Sequence, residues 1–262
     1  MIVSLTGKDS PGDAAAREGA AAPHRPLLSY YAEPEARPDF VRRLFDSTAD
    51  SYDGINRVLS FGSGGWYRRQ ALLRAGLRPG ARMLDVAIGT GLVAREAVRI
   101  LGEPGHVIGL DPSAGMLGVA ARSLGIRLVQ ARAEAMPIAG GSMDFLSMGY
   151  ALRHVSDLAL AFAEFQRVLR PGGRLLLLEL ARPESRLGYA VARAYLGGVV
   201  PALSRLAGTE SGKLMRYYWD TIDACVPAAE IMRRLRESGL QEVACRTEFG
   251  IFRAYTASRP TN

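Results

Sequence analysis

Two glycines two residues apart end the run Asp85-Val86-Ala87-Ile88-Gly89-Thr90-Gly91, and Asp111 stands 20 positions beyond Gly91. Glycine adopts backbone angles, and admits a ligand at distances, that a Cβ would forbid. A carboxylate at that offset, closing the next strand, can accept both ribose hydroxyls of a bound nucleoside. The pair of features therefore points to nucleoside binding at a strand-to-helix turn, with either a dinucleotide or S-adenosylmethionine as ligand. A complete Gly-x-Gly-x-x-Gly is absent, because Ala87 holds the first glycine's place and no third glycine follows. Asp85, just before the turn, can orient a ligand's amino group. Both features lean toward S-adenosylmethionine.

Positioning these residues requires alternating strands and helices, and the chain supplies them. Met83–Ala87, His106–Leu110, Arg127–Ala131, Asp144–Met148 and Leu175–Leu178 read as short apolar strands. Between them, Leu92–Leu101, Ser113–Leu124 and Leu158–Leu169 carry helical periodicity, the last closed by Pro171-Gly172-Gly173. Strands this apolar imply a parallel sheet covered on both faces. Upstream, Phe40, Val41, Leu44, Phe45 and Thr48 fall at helical spacing, and a second helix runs from about Gly65 to Leu77. Residues 183–239 read as mostly helical, with breaks at Gly197-Gly198, Pro201 and Pro227, and strands over 242–247 and 251–256 close the chain. The domain map is a flexible tail over 1–37, then N-terminal helices over 38–80, a cofactor-binding core over 81–181, a helical substrate cap over 182–239 and closing strands over 240–258. A cap there would roof the carboxyl edge of the sheet, where open α/β sheets bind ligands.

Several segments, in the right order, resemble one family: class I methyltransferases of the ubiquinone/menaquinone C-methyltransferase type. The stretch Phe45–Gly62, with Trp66 beyond it, looks like that family's first signature, and Gly149-Tyr150-Ala151-Leu152-Arg153-His154-Val155 like its second. Arg132-Ala133-Glu134-Ala135-Met136-Pro137 is similar to its adenine-side loop, and Leu178–Pro183 to the segment after its fifth strand. The resemblance implies a Rossmann-like α/β fold: a seven-stranded sheet, mostly parallel with one antiparallel strand, with N-terminal helices and a helical insertion after strand five.

Carried over position by position, it implies that Thr90 and the Gly89/Gly91 turn face the methionine part of S-adenosylmethionine. Asp111 with Pro112 would hold the ribose, Arg132, Ala133 and Glu134 would flank the adenine, and Gly149 takes a cofactor-contacting place. Tyr52 and Asp53 would cap the ligand, with Asp85, Ala87 and Met116 beside it. Arg153 would stabilise a phenolate or order a water, and His154, alone among His24, His106 and His154 in lying near the expected pocket, is the candidate general base. Trp66, Tyr150, Tyr217 and Trp219 would line the acceptor pocket. Two departures stand out: Ile88 where a glycine is usual, and Leu92 where the family often has aspartate.

The implied reaction is methyl transfer to a carbon of a lipophilic quinol or phenol. A lipid amine or natural product as acceptor, or a nonmethylating S-adenosylmethionine-binding protein, remain open. Composition narrows the setting. Of 33 basic residues only Lys8 and Lys213 are lysine, and the net charge is +7. Gly62–Met83 carries five arginines and no acid, and residues 185–209 carry no acid among many apolar groups. That pattern favours peripheral contact with an anionic membrane face over nucleic acid, since no base-flipping signature is present. Cys225 and Cys245 are too few for a zinc site or disulfide framework and fit reduced thiols of a cytoplasmic protein. No apolar run reaches the ~18 residues a membrane span needs, and Lys8 and Asp9 interrupt the apolar start. A homodimer is the assembly that the resemblance implies.

Overall fold

The computed structural model describes residues 22–59, 63–205 and 208–261. Its strands are β1 (Met83–Val86), β2 (Val107–Asp111), β3 (Arg127–Gln130), β4 (Met143–Gly149), β5 (Leu169–Leu180), β6 (Gln241–Glu248) and β7 (Phe252–Ser258). They form one sheet in the order β3-β2-β1-β4-β5-β7-β6. The first five run parallel, and β7 pairs antiparallel with both β5 and β6. The strand order reverses at β1 and β4, so a crevice opens beyond their carboxyl ends.

Every residue of β1 is buried, and so are Leu175–Leu178 of β5, because helices cover both faces. The described helices of the core are α1 (Arg37–Leu59), α2 (Gly64–Arg74), α3 (Leu92–Leu101), α4 (Ala114–Ser123) and α5 (Leu158–Val168). The cap holds α6 (Arg186–Ala194), α7 (Val200–Ser204), α8 (Thr209–Ala224) and α9 (Ala228–Glu237). Local chemistry sets their starts. The Ser113 hydroxyl accepts from the Met116 amide at the head of α4, and Asp157 accepts from the Ala159 and Leu160 amides at the head of α5. Helices α2 and α3 pack on one face of the sheet, and α5 and α9 on the other.

Three expectations change. Pro171-Gly172-Gly173 does not end a helix; it lies inside β5 at a bulge, where the register against β4 shifts. A Cβ on Gly173 would sit 2.8 Å from the Arg170 carbonyl oxygen, so only glycine fits that bend. Gly197-Gly198 and Pro201 do not break the cap helix either. A π turn over Tyr195–Val199 joins α6 to α7 without interruption. A Cβ on Gly197 would lie 2.9 Å from the Trp219 ring, so the glycine lets α8 pack against the turn.

The flexible tail is the third correction, for its described part. Residues 22–36 pack onto the body: His24 bridges to Cys225, Tyr31 is buried, and Arg37 Nη2 reaches both His24 Nε2 (3.0 Å) and the Arg153 carbonyl (2.8 Å). The aromatic rings of Tyr30 and Tyr31 against Phe40 supply the apolar contact that the Ala-, Gly- and Pro-rich stretch lacks on average. The rest of that expected tail, residues 1–21, lies outside the described residues.

Candidate active site

The turn after β1 is built from left-handed backbone. Ala87 (φ 52°) and Gly89 (φ 56°) aim successive amides across the carboxyl end of the sheet. The Gly89 amide donates to Asp111 Oδ2, and the Ser113 amide to Asp111 Oδ1, each at 2.8 Å. Burial pushes the Asp111 carboxyl up to about 6, with the two amides pulling the other way. Asp85 is more enclosed. Its Oδ1 accepts from the Ser147 hydroxyl while its Oδ2 has no partner, and burial pushes this acid up to about 7. A buried carboxylate oxygen without a donor, on the wall of a cavity, is a receptor for a ligand's N–H.

That cavity measures about 340 Å³ and lies over the strand ends. It brings together Tyr52, Asp85, Ala87, Gly89, Thr90, Asp111, Pro112, Met116, Arg132, Ala133, Glu134 and Gly149. Gly91 is the exception among the expected cofactor residues. It caps α3 with φ 90°, and a Cβ there would meet Leu124 at 2.3 Å, so it shapes the turn without lining the cavity. At the far end, Glu134 Oε1 accepts from the Ser156 amide at 2.7 Å and pairs with Arg132. Burial works to raise Glu134, but Arg132 and that amide outweigh it and hold the acid below its usual range.

Helix α1 covers the cavity and is fastened at two aspartates. Asp46 Oδ1 accepts from the Ser113 hydroxyl (2.6 Å) and the Gly115 amide (2.9 Å) at the head of α4. Asp53 Oδ1 accepts from the Thr90 hydroxyl at 2.5 Å. These bonds give Asp46 and Asp53 of the Phe45–Gly62 stretch a role, holding α1 over the cavity, while the third acid, Asp50, pairs with Arg122 of α4.

A second cavity, of about 1070 Å³, lies between the sheet edge and the cap. Trp66, Tyr150 and Trp219 line it, with Leu187, Val191, Leu196 and Ile222. Tyr150 and Arg68 stand on the walls of both cavities. Tyr150 takes a left-handed backbone (φ 60°), as uncommon for a bulky residue as it is characteristic of functional sites.

The arrangement has known counterparts. Residues 33–258 match the model of the ubiE/COQ5 methyltransferase family. The chain belongs to that family. A relative from Hahella chejuensis, named ubiquinone/menaquinone biosynthesis C-methyltransferase UbiE, is 34% identical over 207 residues, covering 76% of this chain and 83% of its own. A namesake from Syntrophotalea carbinolica is 35% identical over 225 residues, covering 84% and 94%. Among solved structures, a SAM-dependent methyltransferase from Aquifex aeolicus superposes with TM-score 0.59 at 18% identity, covering 81% of this chain and 97% of that one. So does a Haemonchus contortus phosphoethanolamine N-methyltransferase 2 bound to phosphomonomethylethanolamine and S-adenosylhomocysteine (TM-score 0.59, 18% identity, 84% and 60%). These two likenesses share the fold.

As a member of this family the protein is an S-adenosylmethionine-dependent methyltransferase, and its residues fit the cofactor. Asp85 Oδ2 is free to take an ammonium N–H, Asp111, fixed by the Gly89 and Ser113 amides, would hold the ribose, and Arg132, Ala133 and Glu134 would flank the adenine.

The residues expected to act on the acceptor are placed differently. Arg153 is 0% exposed and lines neither cavity. Its guanidinium pairs with Glu179, donates from Nε to Thr221 Oγ1 at 3.1 Å and stacks 3.8 Å from the Tyr218 ring centre. It therefore pins β4, β5 and α8 together and is not the floor of an acceptor pocket. His154 lines the smaller cavity, wedged between Phe45 and Tyr217, with both ring nitrogens buried and unpartnered. Burial, then Arg153, Arg37 and His24, hold its pKa well below the usual value. A ring so reluctant to take a proton is a poor base. Tyr217 is wholly buried against Tyr30, Phe40 and His154 and lines neither cavity. Trp66, Tyr150 and Trp219 do line the larger one.

Both family departures lie on the smaller cavity's wall. Ile88 is accommodated by Gly109 of β2: a Cβ on Gly109 would come within 2.3 Å of Ile88 Cδ1. Leu92 presents an apolar surface where an acid would add a polar contact. Arg68 is the residue that sequence reasoning passed over. Its signal was present, since Tyr67, Arg68, Ala71 and Leu72 form the buried face of α2 and only Arg68 among them is charged.

Proposed function

We propose that this enzyme C-methylates a lipophilic quinol or related phenol drawn from an anionic membrane surface. The observation that carries the reading is the junction at Tyr150 and Arg68 between the smaller cavity, whose wall carries Asp85 and Asp111, and a larger cavity lined mostly by apolar side chains. The names of the relatives agree with it. S-adenosylmethionine, when bound, supplies a methyl group on a sulfonium: the ring carbon's electron pair forms the new C–C bond, the C–S pair stays on a neutral thioether, and the ring proton then leaves to water.

The protein's own part is chiefly placement. Asp85 and Asp111 fix the two ends of a nucleoside with an amino-acid tail, and α1, held by Asp46 and Asp53, excludes water above them. Ile222, Leu196 and Trp219 give a flat apolar ring a dry bed on the other side. Orientation of this kind is worth up to ~7–11 kcal/mol of barrier.

Membrane delivery rests on the larger cavity's rim. Trp66, Leu187, Val191 and Phe249 line it yet are strongly exposed, from 60% to 88%. Leu203 of α7 is also exposed, and among the described residues the exposed Arg186, Arg193 and Arg205 make no ion pair. Apolar side chains among unpaired arginines suit insertion at an anionic interface. The arginines of Gly62–Met83 contribute less than their count suggests. Arg68 is buried, Arg74 pairs with Glu248 and Arg82 with Asp144. Among the described residues no helix is long and apolar enough to cross a membrane.

Anaerobic incubation with methyl-labelled cofactor and a panel of prenylated quinols, phenols and lipid amines tests the reading. Label on a ring carbon supports it, and turnover of amines or hydroxyls alone overturns it. Vesicle flotation tests the delivery: binding should grow with anionic lipid and fall with salt, and indifference to both removes it.

A further inference from the structure

Arg68 is 8% exposed, and its Nε is buried without a partner. Among the described residues it makes no hydrogen bond and no ion pair; its Cζ lies 5.4 Å from the centre of the Tyr150 ring, and its charge acts on Asp85 across the smaller cavity. Burying a guanidinium with no hydrogen-bonded anion is costly, and Asp85 is felt only at longer range, so the site is suited to receive an anion. The position narrows the source. Arg68 lies on the walls of the nucleoside cavity and the apolar cavity alike, where a methyl group must cross.

We propose that Arg68 is an oxyanion-binding catalytic residue that holds the acceptor's phenolate oxygen at the junction of the two cavities. This rests on the phenolic acceptor proposed above. A free phenol ionises near pH ~10, and a guanidinium beside the oxygen favours the charged form, which donates electron density to the neighbouring ring carbon. Tyr150 supplies the flat wall against which guanidinium and ring align. The other ionisable groups facing this point are Asp85 of β1, whose charge Arg68 feels, and the Tyr67 and Tyr150 phenols, both raised by burial.

The test separates this role from binding of the cofactor's carboxylate and from the quinol reading itself. 4-Nitrophenol, whose phenolate absorbs visibly, is titrated with pH in wild type, R68K and R68Q, each saturated with S-adenosylhomocysteine. Calorimetry gives the S-adenosylhomocysteine affinity of each. In wild type the bound probe should ionise about one to three pH units below its free value, with most of that shift kept in R68K and lost in R68Q, and affinity for S-adenosylhomocysteine unchanged. A probe whose bound pKa is the same in wild type and R68Q overturns the proposal, as does a probe that wild type does not hold. A tenfold or greater loss of S-adenosylhomocysteine affinity in folded R68Q also overturns it, by assigning Arg68 to the cofactor. None of these readings depends on turnover, so a failure of ring methylation would count against the quinol reading alone.

Discussion

The Thr90 hydroxyl donates to Asp53 Oδ1 at 2.5 Å, joining the glycine turn after β1 to the helix that lies over it. The residue that shapes the nucleoside turn and the residue that holds the lid are thus one hydrogen-bonded unit. Hydrogen bonds to charged groups contribute about 1.5–3 kcal/mol. Asp53→Ala should therefore weaken S-adenosylhomocysteine binding by roughly tenfold to a hundredfold and leave the rest of the fold intact, as read by calorimetry and circular dichroism.

The two buried acids predict opposite pH trends for stability and binding. Asp85 and Asp111 are raised by burial to about 7 and about 6, above their unfolded values near 4. The folded protein takes up these protons more readily than the unfolded chain, so their contribution to stability is greatest below pH 4 and is lost as pH rises toward 7. Binding an ammonium at Asp85 needs the charged form, so S-adenosylhomocysteine affinity should fall below about pH 7. Melting temperature and calorimetric affinity, each compared between wild type and Asp85→Asn across pH 5–8, isolate the effect. Parallel pH curves in the two proteins would refute it.

Arg153 and Glu179 form a buried pair, and removing one partner of such a pair typically costs about 3–5 kcal/mol. Arg153→Met should lower the unfolding free energy by that amount in urea titrations. R68Q, by contrast, should leave it unchanged or raise it, because Arg68 has no hydrogen-bonded or ion-paired partner to strand. Equal destabilisation by both variants would erase the distinction drawn between the two arginines.

Ile88 and Gly109 are predicted to be coupled. Gly109→Ala forces a Cβ within 2.3 Å of Ile88 and 2.9 Å of Leu128, and overpacking of this kind costs about 1–3 kcal/mol. Ile88→Ala in the same chain should recover part of that loss, and a double-mutant cycle in urea measures how much.

Much of this was legible in the residues. Asp111 at its offset from the glycine turn, the apolar runs around Leu84 and Leu176, and the aromatics Tyr150 and Trp219 announced a covered parallel sheet with a nucleoside site and an apolar neighbour. Those signals are local: turn chemistry, period and spacing. Arg68 and Arg153 show where locality ends. Nothing in the residues beside either arginine separates them, and only the packing of α2 against the cavity and of the segment after β4 against β5 and α8 decides that Arg68 faces a cavity and Arg153 faces Glu179. Tyr217 and Tyr218 are adjacent in sequence, yet the first lies in the core and the second faces the larger cavity. Residues 22–36 read as tail because their few aromatic anchors are diluted by Ala, Gly and Pro.

The central claim is that the acceptor reaches the methyl group through the larger cavity. Leu196→Trp, on that cavity's wall and away from the nucleoside site, tests it most directly. The account predicts that KM for a prenylated quinol rises at least about tenfold while S-adenosylhomocysteine affinity stays at the wild-type value, a loss of about 1.4 kcal/mol or more on the acceptor side alone. Quinol kinetics equal to wild type in the folded variant would contradict it.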